Sequence, residues 1–311
     1  MFKRITGIIV FAVSSCLLIA FTGKKPAPHK QKPVLGTIII DPGHGGMDPG
    51  TLGAYSRESR VALAVSLKLG KAIKAAFPDS KVLFTRTTDI LSGNVRTLKE
   101  SYYYRSDFAN QSNGDLFISI HCNMVGKKAG GWYEKKIVSY KNVTTGKGKK
   151  KKTKKVPVYK SYYVKNTHKG TETYIWAADR VGFKGEAINQ RQEESGEKND
   201  SSLNFDMSSP EARIRAQLYE KKYFSKSLLL ANFVEEAFEK GGRKSYGVKQ
   251  RNEEGIWVLQ ATGMPSILVE TGFLSNTEEE KYLNSEKGQN EVVAAIITAL
   301  KKYKTALEAT K

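Results

Sequence analysis

Two of the chain's four histidines occupy matching places in its pattern. His44 lies in IIIDPGHGG and His121 in LFISIHCN. Each follows a short run of β-branched and apolar residues and meets a turn-prone segment. Such a run predicts a buried strand, and the carboxyl ends of buried strands are where open α/β sheets assemble their sites. Neutral imidazole is the commonest zinc ligand, so two histidines in equivalent settings point to a metal centre.

A catalytic zinc takes three protein ligands and keeps a fourth position open. Glu58 is the third candidate. It falls in the first turn of a helix, four residues before Ala62, on the stripe that continues through Val65 and Leu69. That stripe faces the sheet, and an inward carboxylate is costly unless it is paired or binds a metal. Favouring the helix dipole, or pairing with Arg57, is the alternative role. Glu270 ends the apolar run SILVE before Thr-Gly. Packing does not explain a carboxylate at the end of a buried strand. It is placed to take a proton from an attacking water and pass it to a leaving amine.

The remaining candidates compete poorly. His29 lies in a linker and His168 reads as a surface residue, with a second-sphere or substrate role open. Asp41 and Asp48 flank the glycines around His44 and are expected to order that loop. Cys16 and Cys122 are the only cysteines, too few for a disulfide framework. Cys122 reads as a small packed thiol pointing away from the site.

The elements that must position these residues alternate. Strands are expected at Thr37–Ile40, Lys81–Thr85, Asp115–His121, Thr171–Ala177, Ile256–Leu259 and Ser266–Glu270. Helices are expected at 57–77, 94–111 and 210–240, with two short ones ending near Lys302. This order predicts a three-layer α/β/α sandwich on a six-stranded, mostly parallel sheet. Along the strand expected at 115–121, Phe117, Ser119 and His121 should face one way and Leu116, Ile118 and Ile120 the other.

The net charge is +20 and is unevenly spread. Residues 124–170 hold fifteen lysines and a single acid, Glu134. The middle, GKGKKKKTKK, lies between two strand-like flanks, so the segment is expected to be an inserted basic β-hairpin. Its tip, 141–156, with Lys149, Lys150, Lys151, Lys152, Lys154 and Lys155, is either a solvated loop or an arm for an anionic wall or membrane surface.

At the start, Lys3 and Arg4 precede the apolar run Ile5–Phe21 and then a proline- and lysine-rich linker at 24–34. Residues 1–23 read as an export signal, with retention as an anchor or lipidation at Cys16 as alternatives. The expected destination is the bacterial cell envelope, most simply the periplasm. An exported chain with its charge in one arm is not expected to bind nucleic acid.

With these residues in order, the chain resembles the zinc-dependent N-acetylmuramoyl-L-alanine amidases of the amidase 3 family. The motifs are IIIDPGHGGMDPGTLG, the Arg57-Glu58 helix start, DLFISIHCN, GTETYIWA and ILVETGFLSN, spanning roughly residues 35–305. The catalytic domain is therefore bounded at 35–306. The resemblance implies that His44, Glu58 and His121 bind one zinc and that Glu270 is the catalytic glutamate. It implies peptidoglycan as substrate, cleaved between N-acetylmuramic acid and L-alanine in wall remodelling or daughter-cell separation. A zinc peptidase cutting within the stem peptide is the rival enzyme. A non-catalytic wall-binding protein would lack one of the four residues, and none is missing.

The 124–170 insertion is longer than the usual link between these family motifs. Some family members carry an inserted helix that covers the zinc until an activator protein binds. Residues 185–209, with Glu193 and Glu194 as possible regulatory groups, sit where such a lid would arise; a substrate-groove loop is the alternative.

Overall fold

The computed structural model describes residues 33–125, 128–176, 210–251 and 256–310. The export segment, the linker up to Lys32, His29, and the 185–209 segment with Glu193 and Glu194 lie outside the described residues.

Ile38, Ile39 and Ile40 are fully buried, so the first strand, β1 (Thr37–Pro42), is apolar on both faces. That is the mark of a central strand in a sheet covered on both sides. The sheet also contains β2 (Lys81–Phe84), β3 (Leu116–Asn123), β6 (Thr171–Ile175), β7 (Ser245–Gln250) and β8 (Ser266–Phe273). Its six strands run in the order β2-β1-β3-β8-β6-β7. The first four are mutually parallel; β6 and β7 are parallel to each other and antiparallel to β8.

Alternation along the strands sorts two cores. Ile38, Ile40, Leu116, Ile118 and Ile120 pack with α1 (Glu58–Ala76), α3 (Pro210–Lys240) and α6 (Glu286–Ala309). Ile39, Phe117 and Leu268 pack on the other face with α2 (Leu98–Gln111) and α4 (Trp257–Gln260). The result is the expected three-layer sandwich. Helix α5 (Thr277–Asn284) follows β8.

Three expectations need correction. Ile256–Leu259 is not a strand; Trp257–Gln260 is one helical turn, with Gln260 N–H donating to Ile256 O at 3.1 Å. A four-residue apolar run carries too little periodicity to separate the two. The sixth strand is instead β7, SYGVKQ, a half-buried edge strand interrupted by Gly247 at φ 77°. It lacks the apolar run that would have announced it. The helix expected from Asn94 starts at Leu98, where Thr97 and Glu100 form a reciprocal capping box. The last helix, α6, is 24 residues long rather than short.

The insertion forms a two-stranded antiparallel ribbon, β4 (Gly131–Thr145) with β5 (Lys152–Lys165). Its base is pinned to the β8–α5 turn. Gly130 N–H donates to Ser275 O at 2.9 Å, and the buried Asn166 amide donates to Ser275 O at 3.2 Å.

Candidate active site

The carboxyl ends of β1, β3 and β8 converge with the start of α1. His44 follows β1 in a left-handed conformation, φ 58°. Its neighbour Gly43 is glycine for a steric reason: a Cβ there would sit 2.4 Å from the His121 ring. Glu58 opens α1 and is buried in line with Ala62, Val65 and Leu69.

One oxygen of Glu58 gathers three nitrogens. His121 Nδ1 lies 2.8 Å from Glu58 Oε1, His44 Nε2 lies 3.2 Å from it, and the Cys122 N–H donates to it at 2.9 Å. The other oxygen accepts from Thr51 N–H at 2.7 Å. The carboxylate is thus held from both sides. Arg57 is not its partner in any of these contacts.

Asp48 also orients the His44 ring. His44 Nδ1 lies 2.8 Å from Asp48 Oδ2, which favours a proton on Nδ1 and turns Nε2 toward Glu58. A carboxylate behind a ligating imidazole is the usual outer support of a metal centre. Ligand atoms of His44, Glu58 and His121 all lie within 4.8 Å of one another. Two imidazoles and one carboxylate fit a catalytic zinc, which takes such a donor set and leaves one position open.

The electrostatics agree with crowding of opposite charges. Burial opposes charge on His44, yet the bonds to Asp48 and Glu58 outweigh it and push the ring up to about 9. Burial instead dominates at His121 and pulls it below its ordinary value despite Glu58. Burial would raise Glu58, but the two histidines hold it well below the usual carboxylate range.

Glu270 stands beside this cluster on β8. Burial, then the negative charge of Glu58, push its carboxyl well above the usual range. Among the described residues its Oε2 is buried without a hydrogen-bond partner, a costly state that suits a group waiting for a reactant. Both Glu270 and the His44–Glu58–His121 cluster line a cleft of about 1160 Å³. Tyr102, Tyr174, Arg251 and Trp257 also line it.

Asp41 lies behind the His44 loop. Its Oδ1 accepts from Arg105 Nη1 and from Thr85 Oγ1, each at 2.6 Å, and its Oδ2 accepts from Ser119 Oγ at 2.7 Å. Arg105 also donates to His44 O at 2.7 Å, and Arg86 donates to Gly43 O at 2.7 Å. Two buried guanidiniums therefore clamp the loop through its carbonyls. Burial and the like charge of Arg105 pull Arg86 down to about 10.

These arginines were missed in the sequence. Arg105 had a signal: it shares the buried spacing Ser101, Arg105, Ala109 on α2. A second omission is Glu172 on β6, which accepts from Asn123 Nδ2 and Tyr174 O–H, each at 2.8 Å, and pairs with Glu270 in the sheet. Cys122 faces the core, where burial pushes its thiol well up and makes it unreactive. His168 is exposed and its ring leans on Phe273, with centroids 6.0 Å apart.

A family model described as N-acetylmuramoyl-L-alanine amidase matches residues 38–302. Among curated proteins, the chain is 29% identical over 287 residues to the N-acetylmuramoyl-L-alanine amidase AmiC of Escherichia coli, covering 89% of this chain. It spans 55% of that protein, and so about half its length. It is also 29% identical to a putative N-acetylmuramoyl-L-alanine amidase of Buchnera aphidicola, covering 86% of this chain and 95% of that one. Among solved structures, the CwlD amidase of Clostridioides difficile, determined with the GerS lipoprotein, has the same fold. It aligns with a TM-score of 0.54 at 23% identity, covering 87% of this chain and 99% of that one.

Proposed function

Because the chain belongs to the amidase 3 family of N-acetylmuramoyl-L-alanine amidases, we propose that it hydrolyses the amide between N-acetylmuramic acid and L-alanine in peptidoglycan. The observation that carries this reading is the convergence of His44, Glu58 and His121 beside Glu270 in one cleft. His44, Glu58 and His121 would hold a single zinc ion. Zinc so held would make water a nucleophile near neutral pH, polarise the scissile carbonyl and offset the Glu58 charge that raises Glu270.

The chain's own residues supply the rest. With zinc in place, Asp48 would hold the His44 proton on Nδ1 and leave Nε2 to the metal. Cys122 N–H and Thr51 N–H hold the Glu58 carboxylate in place. Glu270 accepts the proton of the attacking water and returns it to the alanine nitrogen as the amide bond breaks. The cleft is large for a small-molecule pocket, which suits a segment of polymer.

The expected setting is the bacterial cell envelope, reached by export, in wall remodelling or separation of daughter cells. Control by a protein partner belongs to the same reading; its precedent is the solved complex of CwlD with the GerS lipoprotein. The decisive test is mass spectrometry of peptidoglycan digested by the purified chain. Sugar-free stem peptides beginning with L-alanine are expected, and a chelator should abolish them. Fragments cut within the stem would establish a peptidase instead.

A further inference from the structure

The β4–β5 ribbon carries more than lysines. Tyr133 pairs with Tyr163 across the ladder, and Ile137 pairs with Tyr159. Tyr140 opposes Pro157, two residues along β5 from Tyr159, so the six side chains of these three pairs share one face. They are left in solvent: Tyr133 is 72% exposed, Tyr140 63% and Tyr163 56%. Tyr133 and Tyr163 meet edge to face, with centroids 5.4 Å apart. Exposed Val138, at the bulge beside Ile137, adds to the apolar surface.

The lysines are densest at the tip. Lys147, Lys149, Lys150, Lys151, Lys152, Lys154 and Lys155 crowd it, while Lys135, Lys136, Lys141, Lys160 and Lys165 are spread along the stem. With strands of 15 and 14 residues, the arm is long enough to reach about 45 Å from the body. An isolated two-stranded ribbon is marginal in water, and this one leaves its tyrosines uncovered.

We propose that this arm docks on an anionic phospholipid bilayer, with the tyrosine face in the headgroup region and the lysine tip on the lipid phosphates. Charge complementarity requires an anionic partner, since Glu134 is the arm's only acid. The apolar residues choose among anionic partners. A hydrated polyanion rewards the lysines alone, whereas Ile137, Val138 and the tyrosines gain only at an interface with acyl chains. Tyrosine suits that boundary, with an apolar ring and a wet hydroxyl. No helix among the described residues is long and apolar enough to cross a membrane, so the contact made by this part of the chain is peripheral.

The test is amide hydrogen exchange of residues 131–165 in the full chain, with and without lipid vesicles. This local readout separates the arm from the apolar segment at residues 5–21. Vesicles of phosphatidylcholine with about one-third phosphatidylglycerol should slow exchange in the arm roughly tenfold or more, and phosphatidylcholine alone should not. High salt should remove the effect. Replacing Lys149, Lys150, Lys151, Lys152, Lys154 and Lys155 by Gln should abolish it. Replacing Tyr133, Tyr140 and Tyr159 by Ser should weaken it several-fold, and by Phe should restore it. Unchanged exchange with anionic vesicles would overturn the proposal. So would equal protection by soluble polyglycerol phosphate with no loss in the serine variant, which would mark an anionic-polymer site.

Discussion

His121 and Glu270 are directly opposed in the parallel register of β3 and β8. Adjacent strands stand about 4.8 Å apart, so this pairing alone brings a proposed metal ligand beside the proposed proton carrier. A slip of one residue would put Val269 or Thr271 opposite His121 and turn Glu270 to the other face. Flanking pairs such as Ile118 with Ile267 and Ile120 with Val269 anchor that register in the core. Burial of the sheet thus fixes the spacing of these two residues.

Glu270→Gln keeps the shape and removes the proposed proton carrier. Turnover of peptidoglycan should fall by about two to four orders of magnitude, while the thermal melting profile is retained. Dye release from labelled cell-wall material measures this. Near-full activity in the variant would remove Glu270 from the proposed role.

Asp48→Ala should act through His44. Without the carboxylate at 2.8 Å, the ring loses the partner that orients it through Nδ1. Zinc affinity should drop about 10- to 100-fold with the fold intact, as for other outer supports of metal ligands. A competition titration with a chromophoric chelator reads this. Unchanged affinity would show that His44 is held by other contacts.

Asp41→Asn tests the clamp beneath the loop. Burial would raise this carboxyl, but Arg105, Thr85 and Ser119 outweigh it and hold it below its ordinary 3.8. A depressed carboxyl stabilises the fold above the unfolded value, and that contribution fades as pH falls through the folded value. The substitution leaves Arg105 buried and unpaired, so a loss of about 3–5 kcal/mol is expected near pH 7. Urea unfolding should show the gap between wild type and variant shrinking below about pH 4. A gap that grew there would reverse the assigned sign.

Gly43→Ala tests the close approach of β1 to His121. The added methyl would lie 2.4 Å from the ring, so the imidazole must move. Zinc affinity and activity should both fall, with a smaller effect on melting. Equal zinc binding would show that the ring can shift without cost to the site.

Much of this site was legible because periodicity and chemistry coincide at its residues. His44, His121 and Glu270 end strands whose apolar runs are plain, and Glu58 lies on the inward stripe of a strongly amphipathic helix. The layers and the hairpin followed from the same patterns. What escaped lacked a periodic signature. Strand β7 is half-buried and glycine-broken, so nothing in SYGVKQ announces an edge strand. The turn at Trp257–Gln260 has too few residues to reveal a period. Arg86 and Arg105 act on backbone carbonyls of a distant loop, contacts that only the tertiary structure defines.

The most direct measurement is zinc stoichiometry by metal analysis of three purified forms of the chain. Wild type and Glu270→Gln should each retain about one zinc per chain, and Glu58→Gln should retain little. That pattern would separate a three-ligand metal site from a distinct proton carrier. Zinc retained in full by Glu58→Gln, or lost from Glu270→Gln, would contradict the division of roles.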